Sequence, residues 1–447
     1  MMANRRWLPL ADGLWLLALS LYVLAGVPLA TFHGDEAMQI HMSRDYATAF
    51  LEGAPDQLVT SPPYPIDSDP HLRIINGSIN RYTVGLSWHL AGFSPDDLPP
   101  PPGWDWGLTY SAGVETGHRP DERLLTAARL PSALFLCASI AVMFKLASLA
   151  GGRFGAYFAS GVYALHPVIL LNGRHAMQEG SLLCFGLLTV LVAACMSRRR
   201  ADGRTLSVGW WLALALASAL TLASKHSGIV FVAGAFAWLI AAEWVGRRDI
   251  VPLVLRLTGT GILAFALFVA LSPALWNDPL ARLGDLLRLR QELLDIQVAI
   301  DPIAPTTLSQ RVVDLALSPF IAPLQHYELP SWGEDAAFLS EVGRYETSPL
   351  SGIHFGWLLG VPLTILAGIG VVACLRRRQP FHAGLLAWSL VTALSLLVNP
   401  LPWQRYTLPW IPVVVLLAGV GVEWIRQRFM RTTPGRARGS RQRREPR

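Results

Sequence analysis

The sequence has few charged residues for a chain of its length, and lysine is almost absent from it. Charged residues make up 15% of the 447 positions, whereas hydrophobic residues make up 52%. An ordinary soluble domain carries about 25% charged residues. An ordinary soluble globular fold is therefore excluded, and we expect an integral membrane protein.

The sequence also lacks the short motifs of soluble nucleotide-dependent or metal-dependent enzymes. No nucleotide-binding glycine loop, HExxH helix or GxSxG elbow occurs in a suitable context. The four cysteines all lie in apolar runs, so the sequence indicates neither a disulfide framework nor a cysteine metal cluster. The apolar runs carry no charge near their midpoints, which argues against an ion-coupled transporter.

Apolar runs of about 20 residues predict an all-α fold with about ten transmembrane helices. The first run, from about Gly13 to Ala30, follows Arg5 and Arg6 as a signal peptide would, but it is long enough to span and no clear cleavage site follows it. We interpret it as a retained helix. The predicted spans cover residues 13–31, 125–150, 154–172, 178–197, 207–224, 227–245, 250–274, 352–375, 381–398 and 406–425.

The arginine clusters between these spans predict the topology. If both termini lie in the cytoplasm, every cluster falls on the cytoplasmic side, as the positive-inside rule requires. We therefore expect one membrane domain over residues 1–425, a basic, disordered cytoplasmic tail over 426–447, and two extracytoplasmic connections over about 32–123 and 273–352. The clusters are Arg198–Arg200 with Arg204, Arg247–Arg248, Arg376–Arg378 and the tail.

Amphipathic patterns in the two outer connections predict helices that lie in the membrane interface and roof a site. We expect one from Asp35 to about Leu51, a second from about Ile79 to Ala91, and a third that follows Asn277-Asp278-Pro279 and runs to about Ile300. The stretch from Pro99 to Gly107 is irregular and is interpreted as a lid or, more simply, a spacer.

Asp35 and Glu36 place two carboxylates directly after the first apolar run. One hypothesis is that Asp35 is the N-cap of a helix and that Glu36 complements the helix dipole in the first turn. The other is that this carboxylate accepts the proton of an attacking acceptor hydroxyl as a general base. The two hypotheses are compatible, since a capping carboxylate is held rigidly.

Three further polar groups lie at predicted outer ends of spans. Arg174 and Glu179 flank the connection between the third and fourth spans, Lys225 follows the fifth span, and Arg405-Tyr406 opens the last. The cations have the chemistry to bind a lipid phosphate and to stabilise the charge that grows on a departing phosphate. The alternatives are a solvated ion pair at the rim and side chains that snorkel to headgroups.

Four motifs in this order resemble the lipid-dependent membrane glycosyltransferases of the GT-C fold, in the group of protein O-mannosyltransferases and the aminoarabinose transferase of lipid A. The motifs are Gly34-Asp35-Glu36, Arg174-His-Ala-Met-Gln-Glu179, Ala223-Ser-Lys225-His-Ser-Gly228 and Gln404-Arg405-Tyr406-Thr-Leu-Pro409. The resemblance covers roughly residues 10 to 425. The better-known members carry more spans or an additional C-terminal domain.

The resemblance implies an inverting transfer of a sugar, hexose or pentose, from a polyprenyl-phosphate donor to a glycan, lipid or protein acceptor outside the cytoplasm. It implies that Asp35 activates the acceptor, that Glu179 is a second active-site carboxylate beside Glu36, and that Lys225 and Arg405, with Arg174 and Tyr406, bind the donor phosphate. His33 and Asp35 are candidate ligands of a divalent cation. Membrane lipids are expected partners and nucleic acid is not. A polyprenyl-lipid flippase and a non-catalytic membrane scaffold remain alternatives.

Overall fold

The computed structural model describes residues 8–101, 108–300, 307–328 and 330–432, and the regular elements in these ranges are all helical. The predicted all-α membrane class is confirmed. The α-helices in chain order are α1 (Leu8–Ala25), α2 (Gly34–Met42), α3 (Asp69–Ile75), α4 (Ser78–Leu90), α5 (Tyr110–Glu115), α6 (Glu122–Ala164), α7 (Pro167–Arg174), α8 (Glu179–Ala201), α9 (Val208–Ser224), α10 (Ile229–Val245), α11 (Val251–Ala270), α12 (Pro279–Ile300), α13 (Leu308–Leu317), α14 (Pro330–Gly333), α15 (Ala336–Glu346), α16 (Gly356–Arg377), α17 (Pro380–Val398) and α18 (Trp410–Thr432).

Eight helical segments within the described ranges are long and apolar enough to cross a membrane. They contain α1, α6, α8, α10, α11, α16, α17 and α18, and α9 is a shorter apolar helix of 17 residues. The count differs from ten because α6, over 43 residues, joins two helices that cover the second predicted span and much of the third, with α7 completing the latter, and because α9 is shorter than the other spans. A bend at Gly152, where φ is 77°, separates the two parts of α6. Glycine adopts this left-handed region without a Cβ penalty.

Small residues allow the membrane helices to pack closely. A Cβ atom built on Gly370 of α16 would lie 1.9 Å from the carbonyl oxygen of Leu417 in α18, and one built on Gly421 of α18 would lie 2.1 Å from the carbonyl oxygen of Leu366. Glycine at such crossings lets two helix backbones approach each other in a membrane, where the hydrophobic effect between helices is weak. The bundle is therefore held by close van der Waals contact as well as by the large side chains of its core, among them Trp238 and Trp388.

The predicted outer helices are partly correct. Helix α4 matches the expected span and α12 runs from Pro279 to Ile300, with the Asp278 side chain accepting a hydrogen bond from the Ala281 N–H. The first prediction is too long, because α2 ends at Met42 and a separate short helical turn covers Ala47–Leu51. At Ser43 the hydroxyl donates to the Ile40 carbonyl and accepts from Trp88 Nε1, which fixes the chain where α2 ends.

The two long connections pack on each other at one end of the membrane helices. The Phe32 N–H donates to Glu341 Oε2 at 3.0 Å, and the N–H of Ser111 donates to Asp335 Oδ2 at 2.8 Å. Phe32, Tyr110, Trp332 and Phe338 form an aromatic cluster between the two connections. Most of the predicted lid or spacer, residues 102–107, and the tail beyond residue 432 lie outside the described residues, and α18 continues past the expected end at 425.

The arginine clusters lie at the other end of the helices. Glu243 near the end of α10 is buried and accepts hydrogen bonds from Arg200 at the end of α8 and from Arg248. Arg377 at the end of α16 donates to Gln427 of α18. The arginine-rich end of the bundle is thus opposite to the end at which α8 begins with Glu179 and α10 follows Lys225.

Candidate active site

A cavity at the end of the bundle covered by the two long connections brings together five residues that were predicted from separate motifs. Asp35, Glu179, Lys225, Arg405 and Tyr406 all line it. It encloses about 560 Å³ of space between atoms, part of which is open to solvent. The other lining residues are Met38, Gln39, Ile75, Asn76, Met177, Gln178, Arg290, Leu293 and Gln297.

Asp35 lies in the first turn of α2, but it is not the N-cap, and the N-cap hypothesis is wrong. His33 is the N-cap, because its Nδ1 accepts the N–H of Asp35 at 3.1 Å. The Glu36 side chain accepts the His33 N–H at 3.1 Å and completes a capping box. His33 and Glu36 thus cap the N-terminus of α2, and Asp35 lines the cavity.

Arg405 is the cation that faces Asp35. One guanidinium nitrogen of Arg405 donates a hydrogen bond to Asp35 Oδ2. The Nε atom forms an ion pair with Glu328 Oε1 at 2.9 Å, but its geometry is not that of a hydrogen bond. Burial opposes the ionisation of Asp35, but the positive charges of Arg405 and His33 outweigh it and lower the pKa of Asp35 to about 2. Burial likewise opposes ionisation of Glu328, and the charges of Arg405 and His33 lower its pKa. Asp35 is therefore an anion at neutral pH.

Glu179 and Lys225 form the second ion pair of the cavity. Lys225 Nζ donates to Glu179 Oε1 at 2.5 Å, and the Glu179 side chain is 1% exposed. The other carboxylate oxygen, Oε2, is buried and has no hydrogen-bond partner within the described residues. Lys225 ends α9 in an extended conformation, which turns its side chain toward the start of α8. A buried acceptor without a partner is costly, so a ligand that donates a hydrogen bond there would stabilise the site.

The sequence motif at the start of α18 contributes an aromatic face as well as a cation. Trp403 and Tyr406 stack with ring centroids 5.5 Å apart, and the guanidinium carbon of Arg405 lies 5.5 Å and 5.6 Å from these two centroids. Lys225 Nζ lies 5.8 Å from the Tyr406 centroid. Tyr406 therefore contacts both cations by cation–π geometry.

Glu36 does not line the cavity, so its position does not support the prediction that it is catalytic. Its carboxylate is fully buried and accepts hydrogen bonds from Arg129 Nε at 2.8 Å, from Arg129 Nη2 at 2.6 Å, and from the Ala176 N–H at 2.7 Å. Burial opposes its ionisation, but the charges of Arg129 and His175 lower the pKa of Glu36 to about 2. Glu36 ties α2 to α6 and to the turn before α8, so it positions the site without facing it.

Arg174 is also outside the cavity lining, so the prediction that it binds the donor phosphate is not supported by its position. Its side chain is fully buried over Gly26, where a Cβ atom would lie 2.2 Å from the guanidinium carbon. It donates to the carbonyl oxygens of Val23, Tyr22 and Leu350. Arg174 thus fastens the end of α1 to the second long connection.

The predicted divalent-cation ligands, His33 and Asp35, do not form a metal site with their neighbours. The described ranges contain no group of three or more His, Cys, Asp or Glu side chains placed to hold a metal ion. His33 Nδ1 accepts the Asp35 N–H, its Nε2 lies 3.1 Å from Glu328 Oε2, and the Arg405 guanidinium lies against Asp35. The position that a divalent cation would take between these carboxylates is held by a protein cation, and no step is assigned to a metal.

Several residues that line the cavity, and Glu328, which pairs with Arg405 beside it, were not identified from the sequence. Glu328 lies in an irregular part of the second connection, where no periodicity marks it. Arg290 projects from α12, which the sequence did predict as an amphipathic helix, and a cation at helical spacing from the leucines Leu286 and Leu293 was the available signal. The carboxamides Gln39, Asn76 and Gln178 carry no charge to set them apart in the sequence.

Comparison with known proteins finds one family model that matches part of the chain and solved structures that share its fold. Residues 119–276 match the model of a family described as dolichyl-phosphate-mannose-protein mannosyltransferase. No curated protein sequence matches the chain. The fold resembles ArnT from Cupriavidus metallidurans bound to undecaprenyl phosphate, with a TM-score of 0.56 and 15% identity over 96% of this chain. It also resembles the apo oligosaccharyltransferase of Archaeoglobus fulgidus, with a TM-score of 0.52 and 13% identity over 96% of this chain.

The match covers nearly all of this chain but only part of each relative. This chain spans 63% of the length of the ArnT chain and 52% of the archaeal oligosaccharyltransferase. At these identities the comparison establishes the fold. The predicted resemblance to GT-C glycosyltransferases is confirmed by the family match together with the shared fold.

Proposed function

We propose that the chain is a membrane glycosyltransferase that transfers a sugar from a polyprenyl-phosphate donor to an acceptor hydroxyl with inversion at the anomeric carbon. The observation that carries the proposal is the cavity in which Asp35, Glu179, Lys225 and Arg405 meet. A carboxylate base and two phosphate-binding cations are the groups that direct displacement of a lipid phosphate requires. The family match over residues 119–276 and the fold shared with ArnT support this chemistry.

In the proposed reaction the acceptor oxygen attacks the anomeric carbon while its proton passes to Asp35. The bond between that carbon and the phosphate oxygen breaks, and its electron pair leaves with the lipid phosphate. The donor phosphodiester carries one negative charge and the released polyprenyl phosphate can carry two, so negative charge grows on the leaving group. Arg405 and Lys225 stabilise this charge, and both are cations held in a largely buried site.

Arg405 also controls the basicity of Asp35. In the free protein burial opposes ionisation of Asp35, but Arg405 together with His33 lowers its pKa to about 2, which makes the carboxylate a weak base. The guanidinium has several N–H donors, so it can bind a phosphate oxygen while it remains near Asp35 and Glu328. A bound phosphate compensates part of the positive charge, and the pKa of Asp35 then rises. The base is therefore strengthened when the donor is present.

The position of the arginine clusters supports an extracytoplasmic site. The cavity lies at one end of the helices, and the clusters at Arg198–Arg200, Arg247–Arg248 and Arg376–Arg378 follow the opposite ends. Because loops rich in arginine are retained in the cytoplasm, we place both termini in the cytoplasm and the cavity outside it. Glycans, lipids and proteins of the cell envelope are then the accessible acceptors.

Transfer by the purified protein tests the proposal. The protein in detergent is incubated with undecaprenyl phosphates that each carry one sugar and with an envelope extract, and the product is analysed by mass spectrometry and by NMR of the anomeric proton. Transfer with inverted configuration is expected. Retention of configuration would contradict a direct displacement mechanism. Lipid translocation in vesicles without any sugar transfer would identify a flippase.

A further inference from the structure

A cluster of three carboxamides lines the cavity beside the charged residues. Gln39 Nε2 donates to Asn76 Oδ1 at 3.2 Å, and Gln178 Nε2 donates to the same oxygen at 3.1 Å. Asn80 Nδ2 donates to Gln39 Oε1 at 3.0 Å, and Asn76 Nδ2 donates to the Leu72 carbonyl at 3.1 Å. These bonds join α2, the end of α3, α4 and the start of α8. We refer to Gln39, Asn76 and Gln178 as the carboxamide cluster.

The carboxamide cluster is held in place but retains hydrogen-bonding capacity. Gln39 is 3% and Gln178 is 6% exposed, so both side chains are confined to the cavity wall. Each amide has two N–H donors and a carbonyl oxygen with two lone pairs. Gln178 Oε1 accepts no hydrogen bond from the described residues, and each of the amide nitrogens that donates to Asn76 has a second N–H. Fixed amides with spare capacity are suited to bind a ligand that both donates and accepts hydrogen bonds.

Glu179, which has an unsatisfied carboxylate oxygen, follows Gln178 of this cluster in the sequence and lines the same cavity. Gln178 is the N-cap of α8 and Glu179 is its first residue. Glu179 Oε1 is paired with Lys225, while Oε2 is buried without a partner within the described part of the chain. Gly180 fixes this helix start against α6, because a Cβ atom there would lie 2.2 Å from the Ser132 carbonyl oxygen. Two adjacent residues that line the cavity thus each carry an acceptor oxygen without a hydrogen bond from the described residues.

The charges of the cavity favour a neutral group in that space. Its lining contains the cations Lys225, Arg290 and Arg405 and the carboxylates Asp35 and Glu179, which leaves an excess of one positive charge. A polyprenyl-phosphate sugar contributes one negative charge through its phosphodiester, and the sum is then zero. Glu328 lies behind Arg405 and is paired with His33. An amino sugar would restore an excess positive charge, and a donor with a diphosphate would make the cavity negative.

Resting on the proposed function, we infer that the carboxamide cluster, with Glu179 Oε2, binds the hydroxyl groups of a neutral sugar on a polyprenyl monophosphate donor. The phosphate lies toward Lys225, Arg290 and Arg405, and the sugar lies between this cationic side and the amides. Asp35 lines the same cavity and has access to the acceptor hydroxyl that attacks the anomeric carbon. Asn80 is a positioning residue, because it holds Gln39 without lining the cavity.

Binding measurements separate a role in sugar recognition from a role in folding. Purified wild-type protein and the Gln178→Leu variant are titrated, without acceptor, with bare undecaprenyl phosphate and with undecaprenyl phosphates that carry mannose, glucose, galactose or 4-amino-4-deoxyarabinose. The wild type is expected to bind at least one neutral-sugar lipid more tightly than the bare lipid and to show no such preference for the amino sugar. Gln178→Leu is expected to lose on the order of tenfold affinity for that neutral-sugar donor and to bind bare undecaprenyl phosphate within about twofold of wild type.

The outcomes distinguish the inference from the proposed function. Equal loss of affinity for the bare and the sugar-bearing lipid would make the cluster structural, and unchanged affinity for both would remove it from the site. A preference of the wild type for the amino sugar would overturn the assignment of a neutral sugar. If Gln178→Leu does not fold, Gln39→Met is measured in the same way with the same expected loss. Transfer by the wild type without a change in either variant contradicts this inference alone, whereas absence of transfer overturns the proposed function and this assignment with it.

Discussion

The guanidinium of Arg405 contacts the carboxylate of Asp35, although 370 residues separate the two positions in the chain. Asp35 follows the first membrane helix and Arg405 precedes the last, so this contact joins the segments next to these two helices at the cavity. Glu328 of the second long connection also pairs with Arg405. One cation therefore joins both ends of the membrane domain to the segment that covers the site.

The pairing of Asp35 with Arg405 predicts a pH-dependent contribution to stability. The pKa of Asp35 is lowered from 3.8 to about 2 in the folded protein, so folding favours the ionised carboxyl. This contribution is fully present above about pH 4 and is lost as the pH falls through 2. We expect wild type to exceed Asp35→Asn in free energy of unfolding by on the order of 2 kcal/mol at pH 6, and the difference to shrink as the pH approaches 2. Urea denaturation in detergent between pH 6 and 2 measures it, and a difference independent of pH would contradict the ionised pair.

The ion pair of Lys225 with Glu179 predicts that stability and activity separate in a double variant. Lys225→Met leaves the buried Glu179 carboxylate without its cation, and we expect the free energy of unfolding to fall by about 3–5 kcal/mol. Lys225→Met combined with Glu179→Gln removes both charges, so most of that stability returns while sugar transfer remains low, because the phosphate has lost a cation. Thermal unfolding and transfer assays of both variants measure this. A double variant with wild-type transfer would show that Lys225 does not act on the phosphate.

Glu36 and Arg129 form a buried pair that we assign to structure alone. Glu36→Gln leaves the Arg129 guanidinium, whose side chain is 2% exposed, without its counter-charge. We expect the free energy of unfolding to fall by about 3–5 kcal/mol, and Glu122→Gln, at a side chain 64% exposed, is the matched control. A Glu36→Gln protein that unfolds like wild type but fails to transfer sugar would return Glu36 to the catalytic residues.

The close contact between Gly77 and the end of α9 predicts that a larger residue at position 77 would displace Lys225. A Cβ atom at Gly77 would lie 2.2 Å from the Ser224 carbonyl oxygen, so Gly77→Ala must push the end of α9, and with it Lys225, away from α4. We expect weaker donor binding and slower transfer. Gly113→Ala adds the same methyl group where nothing lies within 4 Å, and it serves as the control. Equal kinetics of the two variants would show that the contact does not position Lys225.

The sequence revealed the charged half of the site because ionic side chains stand out in an apolar chain. Asp35, Glu179, Lys225 and Arg405 each border an apolar run, and the cost of burying a charge at a membrane makes such residues conspicuous. The sequence could not separate Asp35 from Glu36. Adjacent residues of a helix point about 100° apart, and the direction of each depends on Arg129 and Arg405, which are distant in the chain.

The neutral half of the site could not be predicted for a related reason. Gln39, Asn76 and Gln178 lie on three short segments, and amides carry neither a charge nor a hydrophobic period that would mark them. Their proximity follows from close backbone contacts at Gly77 and Gly180, which a sequence does not display. The end of α2 at Met42 also could not be predicted. The fourfold apolar spacing continues past this point, whereas the hydrogen bond from Trp88 to Ser43, which fixes the chain there, joins residues distant in the sequence.

Single-turnover transfer by Asp35→Asn tests the central claim most directly. Wild type, Asp35→Asn and the control Asp56→Asn, an exposed carboxylate, are preloaded with a sugar-bearing undecaprenyl phosphate and mixed with acceptor. We predict that Asp35→Asn binds the donor but transfers its sugar about 10²–10⁴-fold more slowly, because the proton acceptor is lost, while Asp56→Asn matches wild type. Transfer by Asp35→Asn at the wild-type rate would contradict the account.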